Sequence, residues 1–446
     1  MVQTYYLKPP SQSSVKDKSP VPVGLFMRRV TLPLVLLLLL IPNALAQEIN
    51  SVVTVSTEFF IGESDMGIDA LAVSPSGDDV LLIGTLGYAH FIAAGKPFTQ
   101  VQLNANDQDG LNDVDWHPQG LTALIAGDNG TLLRYTRDDH SVTHVPGSAG
   151  NLMAQSLNAV TWDSSGNWAY IGATSGVITR FREDANGNTE YFPLNNSKSS
   201  PILDISCLHK MHAMCLVATE SNGMAVIDQQ HELHWLPGSE GTRWFSVECP
   251  HAERDRCFGV GQGHSVGIVE LDLNNPASSF VSVKNVEISG EFTGIHVRDK
   301  DHLLFQTAPF GWVDWDIKGG TDEMGLAYPW LDNSDATGDD VALSGETLVG
   351  GWSINSEEGY AVTSYGRVVY YYPPQNSISE NLVAALAPML VIIAVPGVVL
   401  GLIYMSSPAL QKRYMAWSNG RLAAKREAAK AKKGQLKGKA RKGAKK

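Results

Sequence analysis

Hydrophobic and polar residues alternate in short runs along the middle of the chain, and these runs recur in groups of three. The group at 111–135 is matched residue by residue by the group at 157–181, and each reads as strand, turn, strand, turn, strand. An anchor position after the first strand recurs every 42 to 55 residues, at Val73, Trp116, Trp162, Cys207, Cys249, Val297 and Trp352. This spacing is typical of β-propeller blades and predicts an all-β fold with seven of them.

Each propeller blade needs a fourth strand, and the sequence predicts one after the third strand of several repeats, at 141–145, 189–193 and 232–236. The seventh repeat has none, because its third strand at 367–372 runs directly into two prolines. An alternating strand at 51–60 precedes the first repeat. We expect this N-terminal strand to complete the seventh blade and close the ring, which would remove an open sheet edge.

Residues 1–46 read as an N-terminal extension and a secretory signal peptide. Two arginines precede an apolar run at 30–41, and Ala44-Leu45-Ala46 is a small-residue cleavage signal. The run is shorter than the roughly 20 apolar residues that span a bilayer, and its leucines favour the general secretory route over twin-arginine export. A start at Met27 would give a signal peptide of ordinary form, whereas a start at Met1 adds a polar extension, and both starts remain open.

A second apolar stretch, at 382–405, is long enough to cross a membrane as one helix. The tail that follows, 406–446, holds 14 Lys and Arg against one Glu. Such a block beside a span marks the cytoplasmic side, so we expect a single-pass cell-membrane protein with residues 47–376 outside. The low apolar content of the tail predicts disorder in solution. Its role is either to fix the topology or also to bind the anionic lipid of the inner leaflet.

The net charge of −12 conceals a strong division between the two sides of the predicted membrane span. Residues 47–381 contain 15 basic and 44 acidic residues, a net charge of −29. A surface this acidic excludes nucleic acid as a partner. The charge either keeps the domain soluble in salty surroundings or attracts cations and basic partners.

The four cysteines indicate an oxidising compartment. Cys207 and Cys215 lie on the first two strands of the fourth repeat, and Cys249 and Cys257 have the same placement in the fifth. A hairpin brings such residues close enough for a disulfide. Of the three possible pairings we favour Cys207–Cys215 with Cys249–Cys257. A zinc site is disfavoured, because seven residues separate the members of each pair instead of two to four.

The repeats resemble those of WD-repeat-like propellers and of photosystem II assembly-factor-like propellers. The shared motif is Val/Leu-x-x-Val-x-Trp-x-Pro/Ser-x-Gly, followed by an Ala/Ile-Gly strand and Gly-x-x-x-Arg-Tyr/Phe. It covers residues 51–372 and is clearest in the second and third repeats. The Trp-Asp pair, the Gly-His opening and the sialidase-type Ser-x-Asp-x-Gly-x-Thr-Trp box are missing. The resemblance therefore implies the fold, while the specific partners of neither family carry over.

Motifs for chemistry are scarce, and we assign no catalytic residue, metal or cofactor. The sequence has no His-Glu-x-x-His, no Gly-x-Ser-x-Gly and no phosphate-binding loop between a strand and a helix. The glycines at 259–264 fit a turn. The loop at 104–110 has the oxygen-rich look of a calcium site, but it lacks the first Asp and has Trp116 in place of the bidentate Glu.

Geometry predicts where a ligand would bind. In a propeller, the loops that join one blade to the next gather on one face around the central channel, and here they are predicted at 104–110, 148–156, 195–200, 239–242 and 332–340. At the channel mouth we expect Asp69, Asn112, Asp113, Asn158 and Asp204, with Trp244 and Phe245 as the apolar element. The alternative is that these Asn and Asp side chains only satisfy turn amides.

Three functions are compatible with this sequence. The first is a membrane-anchored propeller that binds or scaffolds a protein or glycan partner at its loop face. The second is an assembly factor for a membrane complex, which the family resemblance suggests. The third is a propeller-type hydrolase or lyase. Two or more carboxylates with perturbed pKa converging in the channel would favour this function, and a channel mouth lined only by amides and hydroxyls would exclude it.

Overall fold

The computed structural model describes residues 53–62, 65–184, 186–208, 214–250, 255–288, 290–317, 327–331, 343, 346–373, 402–403 and 405–443. The chain divides into two compact units, 1–373 and 374–446. The predicted signal peptide at 1–46, the loop at 332–340 and, apart from residues 402, 403 and 405, the predicted span at 382–405 lie outside the described residues.

The first unit is a seven-bladed propeller in which every blade is a four-stranded antiparallel sheet. The first three blades comprise, in chain order, blade 1: β2 (Ile68–Val73), β3 (Asp79–Gly84), β4 (Tyr88–Ala93), β5 (Gln100–Asn104); blade 2: β6 (Leu111–Trp116), β7 (Thr122–Gly127), β8 (Leu132–Thr136), β9 (Ser141–His144); blade 3: β10 (Leu157–Trp162), β11 (Ala169–Ala173), β12 (Ile178–Glu183), β13 (Thr189–Pro193).

The next three blades comprise blade 4: β14 (Ile202–Cys207), β15 (Cys215–Thr219), β16 (Met224–Ile227), β17 (Leu233–Trp235); blade 5: β18 (Trp244–Glu248), β19 (Arg256–Gly261), β20 (Ser265–Glu270), β21 (Phe280–Asn285); blade 6: β22 (Phe292–Asp299), β23 (His302–Thr307), β24 (Gly311–Asp316), β25 (Tyr328–Leu331). A short helix, α1 (Ser148–Asn151), lies in the loop between blades 2 and 3.

The N-terminal strand closes the ring, as predicted. Blade 7 contains β26 (Leu348–Ser353), β27 (Gly359–Thr363) and β28 (Arg367–Tyr372), and its fourth strand is β1 (Thr54–Phe60). β1 runs antiparallel to β28, with Val55 opposite Tyr371. The start and the end of the propeller therefore share one sheet, and β28 has no free edge.

The core lies between the blades. Each of the seven hydrophobic clusters among the described residues joins two adjacent sheets around the ring. The cluster between blades 6 and 7, for example, packs Trp312 and Leu304 against Val53, Val55 and Tyr371. Because each sheet buries both of its faces, its strands carry apolar residues in continuous runs, as in Val80 to Ile83.

The first strand of each blade lines the central channel, and all seven share one irregularity. In each, the register shifts between the first and third residues, so that the second residue is a β-bulge. This landmark aligns the seven inner strands position by position. It puts Trp116 at position six, and the equivalent residue in blade 7 is Ser353. The assignment of Trp352 as the seventh anchor was therefore wrong by one residue.

Both predicted disulfides are present. Cys207 is bonded to Cys215 and Cys249 to Cys257, with a sequence separation of eight, and so seven intervening residues, in each case. In blade 4 the two cysteines are direct cross-strand partners in the β14–β15 hairpin. No free cysteine occurs in the chain. Cys207 and Cys249 hold the sixth position of their inner strands, where blades 2 and 3 have Trp116 and Trp162. Each disulfide therefore replaces an aromatic packing residue.

The second unit contains one long helix, α2 (Pro408–Gly443), in the region that we predicted to be disordered. The segment begins with Pro and is rich in Ala, Lys, Arg and Leu, which have high helix propensity and which an argument from low apolar content does not weigh. Across the described part of the chain, no helix combines the length and the apolar character that crossing a membrane requires.

Candidate functional site

The shared bulges gather at the channel mouth. They lie at the second position of each inner strand, immediately after the loop that joins one blade to the next, at Asp69, Asn112, Asn158, Leu203, Phe245, Thr293 and Val349. Four of the seven predicted site residues are in this set, and Asp113 and Asp204 follow one position further along. A bulge turns its side chain away from the regular pleat, which is why such residues recur beside functional sites.

The two bulge asparagines join neighbouring blades. The side-chain amide of Asn112 donates to the carbonyl oxygen of Leu157 at 3.0 Å, and that of Asn158 donates to the carbonyl oxygen of Ile202 at 3.0 Å. Both acceptors are the first residue of the next inner strand. These amides therefore fix the relative position of blades 2, 3 and 4 at the mouth.

The carboxylates of Asp113 and Asp204 also join neighbouring blades. Asp113 accepts the backbone N–H of Val160 at 2.7 Å, and Asp204 accepts that of Val247 at 2.8 Å. In both cases the carboxylate at position three of one inner strand accepts the backbone N–H at position four of the next inner strand. Each also accepts the N–H of the residue that follows it, Val114 at 2.9 Å and Ile205 at 2.7 Å. The amides that these two carboxylates satisfy therefore belong to their own strand and to the next blade, whereas the alternative prediction was that they belong to turns.

Asp115, which sequence reasoning missed, repeats this bond two residues deeper in the channel. Its Oδ2 accepts the backbone N–H of Trp162 at 2.7 Å. Ser206 occupies the same position in blade 4 and accepts the N–H of Cys249 at 3.0 Å. The signal was available in the repeats, because polar residues recur at position five as Asp115, Thr161, Ser206, Glu248 and His296.

Four carboxyl groups in the channel have raised pKa values. Burial raises the pKa of Asp113 well above its ordinary value and that of Asp204 above 3.8. Burial likewise raises the pKa of Asp115 and of Glu248 to about 7, and the negative charge of Asp204 contributes at both. The channel therefore holds acids that lose their protons near neutral pH.

His296 adds a neutral base to the same channel. It holds position five in blade 6, next to Glu248 of blade 5 in the ring of inner strands. Burial lowers the pKa of His296 to about 4, and its ring is stacked on Trp312. Its buried Nε2 atom has no hydrogen-bond partner among the described residues. Neither Glu248 nor His296 was predicted as a site residue, because both lie at position five, past the mouth.

The structure separates the two predicted aromatic residues. Trp244 is fully buried between blades 4 and 5, and its indole N–H donates to the carbonyl oxygen of Ser239 at 2.8 Å. Its ring is thus part of the core and not an apolar element of the mouth. Phe245 is partly buried against the core between blades 5 and 6, and the Arg243 guanidinium lies 5.4 Å from its ring centre.

Around the mouth, an acidic loop patch lies on blades 1 and 2 and the loop between them; we define it as Asp69, Asp107, Asp109 and Asp128. Asp109 accepts hydrogen bonds from Asn129 at 2.8 Å and Thr131 at 2.9 Å. Asp128 accepts from Asn112 at 3.1 Å and from Ser156 at 2.5 Å. Partial burial and the charge of Asp128 raise the pKa of Asp69. These bonds hold several carboxylates in fixed positions on one face.

A different cluster has the donor set for a metal ion. In the residues that the structure describes, the ligand atoms of Asp228, Glu232 and His234 lie within 4.8 Å of one another. They belong to the β16–β17 hairpin of blade 4, on the face opposite the acidic loop patch. Asp228 already bonds His234 at 2.8 Å and accepts the N–H groups of Gln230 and Glu232 at 2.8 Å each. Hydrogen bonding within the hairpin accounts for this arrangement.

Comparison with known proteins places the chain by its fold. No family model matches the sequence, and no curated protein matches it. The fold itself is widespread, since 1672 chains of solved structures match, so the fold alone does not identify a function. One of them, described as YCF48 bound to D1 peptide, has a TM-score of 0.50 and 11% sequence identity, over 74% of this chain and 100% of that chain. The protein is thus a seven-bladed β-propeller of the architecture that its resemblance to WD-repeat-like and photosystem II assembly-factor-like propellers implied.

Proposed function

We propose that the protein is a binding propeller that presents its acidic loop patch to a basic segment of a partner protein. The observation that carries this proposal is the fixed arrangement of Asp107, Asp109 and Asp128 around the channel mouth. Carboxylates held by hydrogen bonds lose little freedom when a cation binds, so less ordering entropy opposes binding. The net charge of −29 over residues 47–381 would also steer a basic partner toward this unit.

The comparison with YCF48 supports a peptide as the class of ligand. That propeller is described in complex with a D1 peptide, and its whole length aligns with this chain. A protein partner is therefore preferred here over a glycan. An assembly factor is the special case in which the partner belongs to a membrane complex, and identification of the partner would distinguish the two roles.

Neutralising the acidic loop patch should abolish partner capture. We expect the full-length D107N/D109N/D128N variant to lose the partner that cross-linking and affinity purification recover with the unmodified chain. Asn keeps an oxygen that accepts the local hydrogen bonds, so the loops should retain their shape while the charge is lost. The matched control is D138N/D139N, which removes two charges from the β8–β9 hairpin on the opposite face. Equal recovery of the partner with both variants would contradict the proposal.

We also propose that the propeller is anchored outside the cell membrane by the apolar stretch at 382–405. The first turns of α2 support this proposal. Tyr414 and Trp417 are exposed, with ring centres 5.9 Å apart, and the Arg421 guanidinium lies 4.5 Å from the Trp417 ring. Aromatic residues beside a span, followed by many basic ones, are typical of the cytoplasmic membrane interface.

Protease protection tests this topology. Protease added to intact cells should remove the propeller and leave a fragment that an antibody against residues 430–446 still detects, because the basic tail stays inside. The control is the same digestion after permeabilisation, which should destroy the fragment. Loss of the tail fragment in intact cells would reverse the proposed orientation.

One observation favours the hydrolase or lyase alternative. Asp113, Asp115, Asp204 and Glu248 have raised pKa values in the channel, and such a group of carboxylates is the feature expected to favour a channel enzyme. Three of the four, however, accept backbone N–H groups of the next blade. We assign them first to holding the ring of inner strands together and place binding ahead of catalysis.

A further inference from the structure

The Gly-x-x-x-Arg-Tyr/Phe motif supplies an arginine in both of the clearest repeats, and the two arginines have different surroundings. Arg134 pairs with Leu124 across blade 2, and Arg180 pairs with Tyr170 at the equivalent place in blade 3. Arg134 forms a two-bonded ion pair with Glu183 of the next blade, with Nη1 3.2 Å from Oε1. Its charge is therefore neutralised within the propeller.

Arg180 has aromatic neighbours where Arg134 has a carboxylate. Its guanidinium carbon lies 4.7 Å from the ring centre of Trp168 and 4.9 Å from that of Phe192. Over the described part of the chain, no carboxylate lies within ion-pair distance of it. Two rings fix the plane of the guanidinium, and its N–H donors are left for a ligand.

The strand register explains why Arg180 lacks a carboxylate. Ile227 pairs with Cys215 in blade 4, as Phe181 pairs with Ala169 in blade 3. β12 continues two residues beyond Phe181 to Glu183, whereas β16 ends at Ile227 and the chain turns at once, with Asp228 accepting the N–H groups of Gln230 and Glu232. The shorter strand of blade 4 thus has no counterpart of Glu183, the acid that would otherwise neutralise the motif arginine.

The other charged side chains around Arg180 already have hydrogen-bond or ion-pair partners, so Arg180 is the cation here that can bind a ligand. Arg182 also lies over Trp168, at 4.6 Å, but it is paired with Glu190 at 2.6 Å. Burial raises the pKa of Tyr170, the cross-strand partner of Arg180, and the charges of the carboxylates Asp163 and Asp228 raise it further. Asp163 is bonded to its own turn at 2.8 Å, and Asp228 to His234 at 2.8 Å.

We propose that Arg180, held between Trp168 and Phe192, is a binding site for a carboxylate on an acidic segment of a second partner protein. A planar guanidinium binds a carboxylate with two parallel N–H···O bonds, and Trp and Arg are enriched among the residues that dominate protein interfaces. Phe192 is 41% exposed, so it offers an apolar contact beside the charge. The site lies on the part of blade 3 nearest the face opposite the acidic loop patch. Because a different surface and the opposite charge are used, it stands or falls independently of the proposed function.

The test measures binding of a fluorescein-labelled hexaglutamate peptide to the full-length protein by fluorescence anisotropy, with hexaglutamine as the neutral control. We expect hexaglutamate alone to bind, and R180Q to weaken that binding at least tenfold. R134Q is the matched control and should bind like the unmodified chain, since Arg134 is already paired.

Thermal unfolding midpoints show whether each variant remains folded. Binding to R180Q with the affinity of the unmodified chain would overturn the proposal, as would equal binding of hexaglutamine. An equal loss in R134Q would also overturn it, because it would show that general positive charge, and not the Arg180 site, captures the peptide.

Discussion

Deleting residues 51–60 is expected to leave a chain that does not form a stable propeller. The deletion removes β1, so the backbone groups of β28 lose their partners from Arg367 to Tyr372. It also removes Val53 and Val55 from the core around Trp312, which would expose apolar surface and an open strand edge together. We expect the deleted protein to be insoluble or to be digested by protease under conditions in which the intact propeller resists.

A point variant separates closure by β1 from the mere loss of ten residues. Val55→Asp places a charge in the buried interface between blades 6 and 7 and should destabilise the fold by about 4 kcal/mol or more. Phe60→Ser is the matched control in the same strand, because Phe60 is 44% exposed and should cost little. A soluble, protease-resistant deletion variant would show that the ring closes without β1.

The repeats predicted the fold closely because each blade must bury both faces of the same four-stranded sheet. The fourth strand expected at 189–193 is β13, with the same bounds. The ring closure could be predicted because the seventh repeat lacks a fourth strand and an extra strand precedes the first repeat. The register failed only in blade 7, at Trp352. A large aromatic residue resembles the anchor of blades 2 and 3, but Trp352 packs toward blade 1 instead.

The site was harder to predict than the fold, because the partner of each side chain lies one blade away. Sequence predicted Asn112 and Asp113 at the mouth but could not show that they bond residues 45 and 47 positions later. It also could not distinguish Arg134 from Arg180, which occupy the same motif. Their difference depends on Glu183, which blade 3 supplies to Arg134 and which blade 4 lacks because β16 ends two residues earlier in the register.

The channel acids predict an unusual dependence of stability on pH. The pKa of Asp115 and that of Glu248 are about 7 in the folded chain, whereas unfolded Asp and Glu have pKa values near 4. Between about pH 4.5 and 7 the folded chain therefore binds more protons than the unfolded chain. Stability must then fall as pH rises through this window, because deprotonation is cheaper after unfolding. We expect the propeller to be less stable at pH 8 than at pH 5, by about 2–3 kcal/mol for each of these two acids and about 5 kcal/mol together.

Amide variants test the origin of that slope. D115N and E248Q keep an oxygen for the N–H of Trp162 and the hydroxyl of Ser206 but cannot ionise, so each should flatten the profile and raise stability at pH 8. D139N is the control: its exposed carboxyl has a pKa lowered by hydrogen bonds with Ser141, so it is ionised throughout this window in both states. Denaturant unfolding at constant ionic strength from pH 5 to 8 gives the profile. If stability is flat or rises with pH in the unmodified chain, the channel acids are not protonated near neutral pH. If the slope is the same in D115N and in E248Q as in the unmodified chain, it arises from other groups.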